Sequence, residues 1–154
     1  MRSTIAVDMA APPARVFELA SDIAQWPTLL PHYRQVTIRS REGDHVTATM
    51  TAVWRFAFLD IPVRWTSRQW AERADAADLQ LRFVHVGGPT RGMDVTWHIR
   101  PLANANGSRV TIEHDFERRL PLLGRDAFPR LVDRLFVRPI AGRTLATFKL
   151  LAEQ

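Results

Sequence analysis

DAFPRLVDRLFVRPIAGRTLATFKLLAE, residues 126–153, is the stretch whose reading decides the fold. Its apolar residues Phe128, Leu131, Val132, Leu135, Phe136, Ile140, Leu145, Phe148, Leu151 and Ala152 recur at the i, i+3, i+4, i+7 spacing of one helix face. Arg130, Arg134, Arg138, Arg143 and Lys149 fall between them and define a charged opposite face. Asp126 suits the N-cap, and Pro129 falls in the first turn, where a missing N–H costs little. The spacing predicts a helix of roughly 40 Å at 1.5 Å per residue. Pro139 predicts a kink, because an interior proline removes a hydrogen bond and crowds the preceding turn. Burying about ten apolar side chains contributes on the order of 15–25 kcal/mol before ordering entropy is set against it. A broad apolar surface must receive that stripe.

The rest of the chain supplies such a surface. Val46, Ala48, Met50, Ala52 and Trp54 alternate with polar neighbours, as do Met93, Val95, Trp97 and Ile99, and Val110, Ile112, His114 and Phe116. A period of two marks antiparallel strands with one covered and one wet face. Turn-forming clusters fall at residues 42–44, 74–78, 87–89 and 104–107. Nearer the start, residues 4–8 read as a first strand and residues 14–20 as a short helix entered through Pro13. A second short helix over residues 23–25 is expected to stop at Trp26-Pro27. The order is one strand, two short helices, six strands and a long helix. That is an α+β fold in which a curved antiparallel sheet packs on the terminal helix. Ala48 and Ala52 on the covered face leave two readings open, close packing against the helix or an apolar pocket.

The chain has 154 residues, enough for one domain over residues 1–154 with a substantial core. It has no cysteine, which excludes disulfides, thiolate metal sites and cysteine nucleophiles. No secretory signal or membrane span is expected, so a cytoplasmic location is. The formal charge is +5, and all but one of the 21 basic residues are arginine. Arginines crowd residues 118–149, which suits a solvated helix face, or attraction to RNA, anionic lipid or an acidic carrier protein. No nucleic-acid motif accompanies them, so nucleic acid is not the expected partner. The five histidines show neither HExxH nor a His–carboxylate helix pair, and no metal or cofactor is expected.

The stretches Ala11-Pro12-Pro13-Ala14-Arg15-Val16-Phe17-Glu18-Leu19 and Ser21-Asp22-Ile23-Ala24-Gln25-Trp26-Pro27 resemble the START-like superfamily, in its polyketide cyclase/dehydrase and lipid-transport branch. The resemblance covers nearly the whole chain. It implies a helix-grip fold, in which a curved seven-stranded sheet wraps the C-terminal helix around a ligand cavity. The function it implies is binding of a small hydrophobic ligand, with aldol cyclisation and dehydration of a polyketide-type substrate. The alternative is a non-catalytic lipid or quinone carrier of the same fold. Aromatase/cyclases of this branch carry a tyrosine after the Trp-Pro pair, matched here by Tyr33. Their S-E-R segment is similar to Trp70-Ala71-Glu72-Arg73, which nominates Arg73.

A cyclase must fold a reactive chain in a dry cavity, hold an enolate oxygen and move protons. Arg73 suits the oxygen, and Tyr33 or His114 suits proton donation. His114 and His85 both stand in apolar strand rows, where a histidine is either a site group or a hydrogen-bonded core group. Trp54, Trp65, Phe83, Trp97, Phe116 and Phe136 are the expected apolar ligand contacts. No GxSxG, Walker or dinucleotide spacing is present.

Overall fold

A computed structural model describes residues 1–75, 77–103, 106–117 and 124–154, with the side chains of residues 73–75 and 124–126 excepted. The alternating stretches form β1 (Arg2–Met9), β2 (Tyr33–Glu42), β3 (His45–Phe56), β4 (Leu59–Asp75), β5 (Asp78–Gly87), β6 (Met93–Pro101) and β7 (Ser108–Phe116). They make one antiparallel sheet of order β1-β7-β6-β5-β4-β3-β2. Since β1 pairs with β7 and β2 lies at the opposite edge, the chain between them crosses the whole sheet. α1 (Pro13–Ser21), a 3-10 turn (Ile23–Gln25) and α2 (Trp26–Leu29) make that crossing. α1 buries Val16, Leu19 and Ala20 and packs on β5 and β6. The expected stop at Trp26-Pro27 is corrected: Pro27 sits in the first turn of α2, where its missing N–H is no loss, and the chain extends only at Leu30.

The sequence pattern places no turn between β3 and β4, yet the chain reverses at Ala57-Phe58, with Ala57 at φ 52°. The turns expected at 74–78 and 104–107 lie partly outside the described residues. So do the side chains of Arg73 and of the proposed cap Asp126.

The C-terminal stretch is helical, but it starts at Gly124, so the expected start is corrected: Asp126 lies within the first turn and is not the cap, and Pro129 lies inside the helix, past that turn. It runs in three pieces: α3 (Gly124–Val132), a π-helical turn (Asp133–Val137) and α4 (Arg138–Ala152). The π turn lies where Pro139 would otherwise strain the α ladder. Arg138 N–H reaches back five residues to the Asp133 carbonyl, and Pro139 itself starts α4 with no N–H to place. Val132 is buried, then Val137, Ala141, Thr144, Leu145 and Phe148, while Leu131 is half exposed. Phe128, Phe136, Ile140, Leu151 and Ala152 of the expected stripe pack partly buried against the core, and the member that departs from it is Leu131, ahead of the π turn. Leu81, Ile99, Val110, Ile112, Phe116, Leu145 and Phe148 form the fully buried centre between sheet and helix.

Candidate functional site

Two irregularities in the ladder shape the inner face. In β2, Tyr33 and Gln35 pair with the adjacent residues Ala52 and Thr51, so Arg34 is the extra residue of a bulge. Arg34 swings outward and Tyr33 stays buried. In β5, His85 and Gly87 pair with the adjacent Ser67 and Thr66, leaving Val86 as the extra residue. The next residue, Gly88, has φ +88°, and a Cβ there would lie 2.6 Å from the Arg64 carbonyl oxygen and 2.9 Å from Trp65 Cα. Only glycine lets this loop lie against β4. Gly92 N–H donates to the His85 carbonyl at 2.8 Å and Met93 N–H to Thr90 at 3.0 Å. The loop thus returns Thr90 Oγ1 to 2.7 Å from His85 Nδ1.

Between sheet and helix lies a cavity of about 80 Å³. Val63 and Trp65 of β4, Phe83 and His85 of β5, Val95 and Trp97 of β6, and Ile112 and His114 of β7 form its floor. Phe136 and Val137 of the π turn, with Ile140, Ala141 and Thr144 of α4, form its roof. Trp26, Tyr33, Met50, Thr90 and Met93 complete the wall.

The polar groups in this wall are few and uncharged. The His85 ring stacks on Trp65 with centroids 5.8 Å apart and planes 19° from parallel. Burial, and next His114, push its pKa down to about 3. Burial takes His114 down to about 4 against the opposing pull of Asp133 and the Ser3 carbonyl, with Arg138 adding to the fall. Among the described residues, His114 Nδ1 is buried without a hydrogen-bond partner, as are Asp133 Oδ1 and the Trp26 indole nitrogen. Asp133 Oδ2 accepts from Arg138 Nε at 2.9 Å. Burial raises the Tyr33 phenol well above its ordinary value, opposed by Thr144. Behind Tyr33, His32 is 2% exposed and its Nε2 lies 2.9 Å from Thr144 Oγ1, which donates to the Ile140 carbonyl. Burial, and then Arg143, lower His32 to about 4.

Of the residues expected at the site, the structure brings together Tyr33, His114, Trp65, Phe83, His85, Trp97 and Phe136. Trp54 stands behind the wall, 5.2 Å from the Phe136 ring. Phe116 is fully buried against Phe128. Arg73 pairs with Leu79 near the end of β4. It is eight residues beyond Trp65, roughly 27 Å of strand at ~3.4 Å per residue, and its side chain lies outside the described residues. Sequence reasoning missed Trp26, Thr90, Thr144 and His32. For Trp26 a signal existed, an indole beside Pro27 at the start of a short helix. The two threonines gave none, because their hydroxyls acquire partners only through the fold.

A profile of the family described as polyketide cyclase / dehydrase and lipid transport matches residues 9–136. The bifunctional cyclase/dehydratase of the granaticin polyketide synthase of Streptomyces virginiae is 30% identical over 111 residues, 70% of this chain. The match spans only 33% of that relative's own length. Among solved structures, the Zhui aromatase/cyclase from Streptomyces sp. R1128 superposes with TM-score 0.76 at 20% identity, over 99% of this chain and 93% of that one. A STAR-related lipid transfer protein from Xanthomonas axonopodis superposes with TM-score 0.71 at 14% identity, over 99% and 86%. At such identities the superpositions establish the helix-grip fold, while the profile spans most of the sequence. The chain belongs to the polyketide cyclase/dehydrase and lipid transport family.

Proposed function

We propose that the cavity binds a small hydrophobic molecule, aromatic or polyketide-type, and that the protein catalyses aldol cyclisation and dehydration there. The observation that carries this reading is geometric: His114, His85 and Tyr33 line one largely apolar cavity together. Acid–base groups in a dry pocket move protons without admitting water to a reactive ketone chain.

His114 Nδ1, which has no hydrogen-bond partner among the described residues, takes a proton from a methylene flanked by carbonyls. The enolate carbon then bonds to a carbonyl carbon further along the chain, and that oxygen takes the Tyr33 proton. His114 returns its proton to Tyr33. In the dehydration a second α-proton goes to His114, and the hydroxyl leaves with it as water. His85, oriented by Thr90 and Trp65, hydrogen-bonds the developing enolate oxygen.

The test is turnover of a β-polyketone thioester, followed by absorbance of the aromatic product, beside ligand binding read from tryptophan fluorescence. His114→Gln and Tyr33→Phe each lower turnover by about 10²–10⁴ with binding retained. Wild-type turnover in both variants would remove the catalytic assignment. Arg73→Ala belongs in the same series, since it lowers turnover only if the guanidinium reaches the substrate.

The apolar lining favours one alternative, a carrier of a lipid or quinone. Native mass spectrometry of freshly purified protein separates the two: a prenyl lipid that leaves unchanged supports the carrier, and a cyclised aromatic supports the enzyme.

A further inference from the structure

The β3–β4 hairpin ends in Phe58, 90% exposed, flanked by Phe56 at 55% and Leu59 at 51%. Because the chain reverses at Ala57-Phe58, these side chains stand on a narrow convex tip and cover no core. Charge gathers behind them. Arg55 holds Asp60 through two hydrogen bonds, 2.8 and 3.3 Å, and Arg34 lies 3.8 Å from the same carboxylate. Arg143 of α4 is close enough to help hold the Asp60 carboxyl below its ordinary range, after Arg55 and Arg34. Three guanidinium groups against one carboxylate leave the collar positive, in a chain whose formal charge is already +5.

We infer that this hairpin tip docks the protein on an anionic lipid surface, Phe56, Phe58 and Leu59 entering the interface while Arg34, Arg55 and Arg143 stay at headgroup level. Exposed apolar groups ringed by arginine match the two layers of such a surface, acyl chains beneath and negative headgroups above. A peptide or helix partner would call for an apolar groove on this chain, and the tip is the reverse of one. The tip also connects with the cavity. Phe56 contacts Trp54 with ring centroids 5.1 Å apart, Trp54 contacts Phe136 at 5.2 Å, and Phe136 forms part of the roof. Docking through the tip therefore brings that end of the roof close to the bilayer, where a hydrophobic ligand is concentrated. The inference needs no catalytic step and stands whether the cavity serves an enzyme or a carrier.

The experiment is co-sedimentation of the full chain with vesicles of phosphatidylcholine alone, or of phosphatidylcholine mixed with phosphatidylglycerol. Binding to the mixed vesicles, weakening with salt, is the expected result. Phe58→Ser lowers the partition coefficient by roughly tenfold or more, with unfolding temperature and vesicle-free binding of naphthol unchanged. The double variant Phe56→Ser/Leu59→Ser does the same. Absence of vesicle binding, or binding indifferent to both variants, overturns the inference. So would tip-dependent dimerisation in sedimentation velocity, or tip-dependent capture of an acidic carrier protein without vesicle binding.

Discussion

His32, His85 and His114 are three imidazoles that burial keeps neutral, with values near 4, 3 and 4 against an ordinary 6.5. A histidine whose folded value is depressed takes its proton first in the unfolded chain. Its stabilising effect is therefore complete above its unfolded value and declines as pH falls through 6.5 toward the folded value. The carboxylates with lowered values, Asp8, Asp60, Asp78 and Glu153, begin from 3.8 or 4.5 and lose their effect at more acid pH. Near pH 5.5 the unfolded chain should thus bind close to three more protons than the folded one, a slope of about 4 kcal/mol per pH unit. Urea unfolding across the interval from neutral to mildly acidic pH measures it, and a flat profile would mean that the three rings are not shielded. Two of these histidines were legible in the sequence. His85 and His114 interrupt rows of alternating apolar residues, and an inward row fixes the direction of every member. His32 follows a proline in a stretch with no period, so nothing local indicated its burial behind Tyr33.

At the scale of elements, the sequence period served wherever the backbone kept one geometry, and misled where the geometry changed. The strands around Trp97 and Ile112 alternate buried with less buried residues and were legible for that reason. The β3–β4 reversal was not, because its turn contains no glycine, proline or asparagine and Ala57 takes φ 52° at a steric cost. Pro139 announced an irregularity in the last helix, and the outcome is a π turn two to six residues earlier. Thr144 joins the inner face because it lies four residues from both Ile140 and Phe148 on α4. The loop after β5 shows how narrow such requirements become. Gly88→Ala would drive a methyl group into the Arg64 carbonyl and Trp65 Cα, both backbone atoms that cannot turn aside, at a φ disfavoured for alanine. A loss of about 2–4 kcal/mol is expected, read from the denaturant midpoint. His85 would also lose Thr90, so weakened ligand binding should accompany it. An alanine variant as stable as the parent would show that the loop does not lie against β4.

For the molecule as a whole, the resemblance in the α1–α2 region predicted a cavity between sheet and helix, and the fold contains one. Its size was beyond the reach of sequence, since volume depends on how far the π turn holds Phe136 and Val137 above the floor. About 80 Å³ is small. An engineered apolar cavity that takes up benzene measures ~150 Å³, so a substrate forming one ring or more requires the walls to separate. The floor resists separation, because the strands beneath it are hydrogen-bonded into one sheet from edge to edge. The roof is a single helical layer, and its π turn already departs from the α ladder at the two residues that cap the cavity. Entry of a ligand should therefore proceed by outward displacement of Phe136. Phe136→Ala removes the ring that must otherwise move and leaves the floor and all three histidines in place. The variant should bind a two-ring aromatic such as naphthol at least several-fold more tightly than the parent, with a much smaller change for a single-ring phenol. Fluorescence titration of Trp26, Trp65 and Trp97, which line the cavity, provides the comparison. Because Phe136 is only partly buried, the stability loss should fall below the ~3–5 kcal/mol of a fully buried phenylalanine, and the folded fraction stays high enough for the titration to report affinity. Equal weakening for both ligands would show that Phe136 holds the guest in place and that another part of the wall sets the size limit.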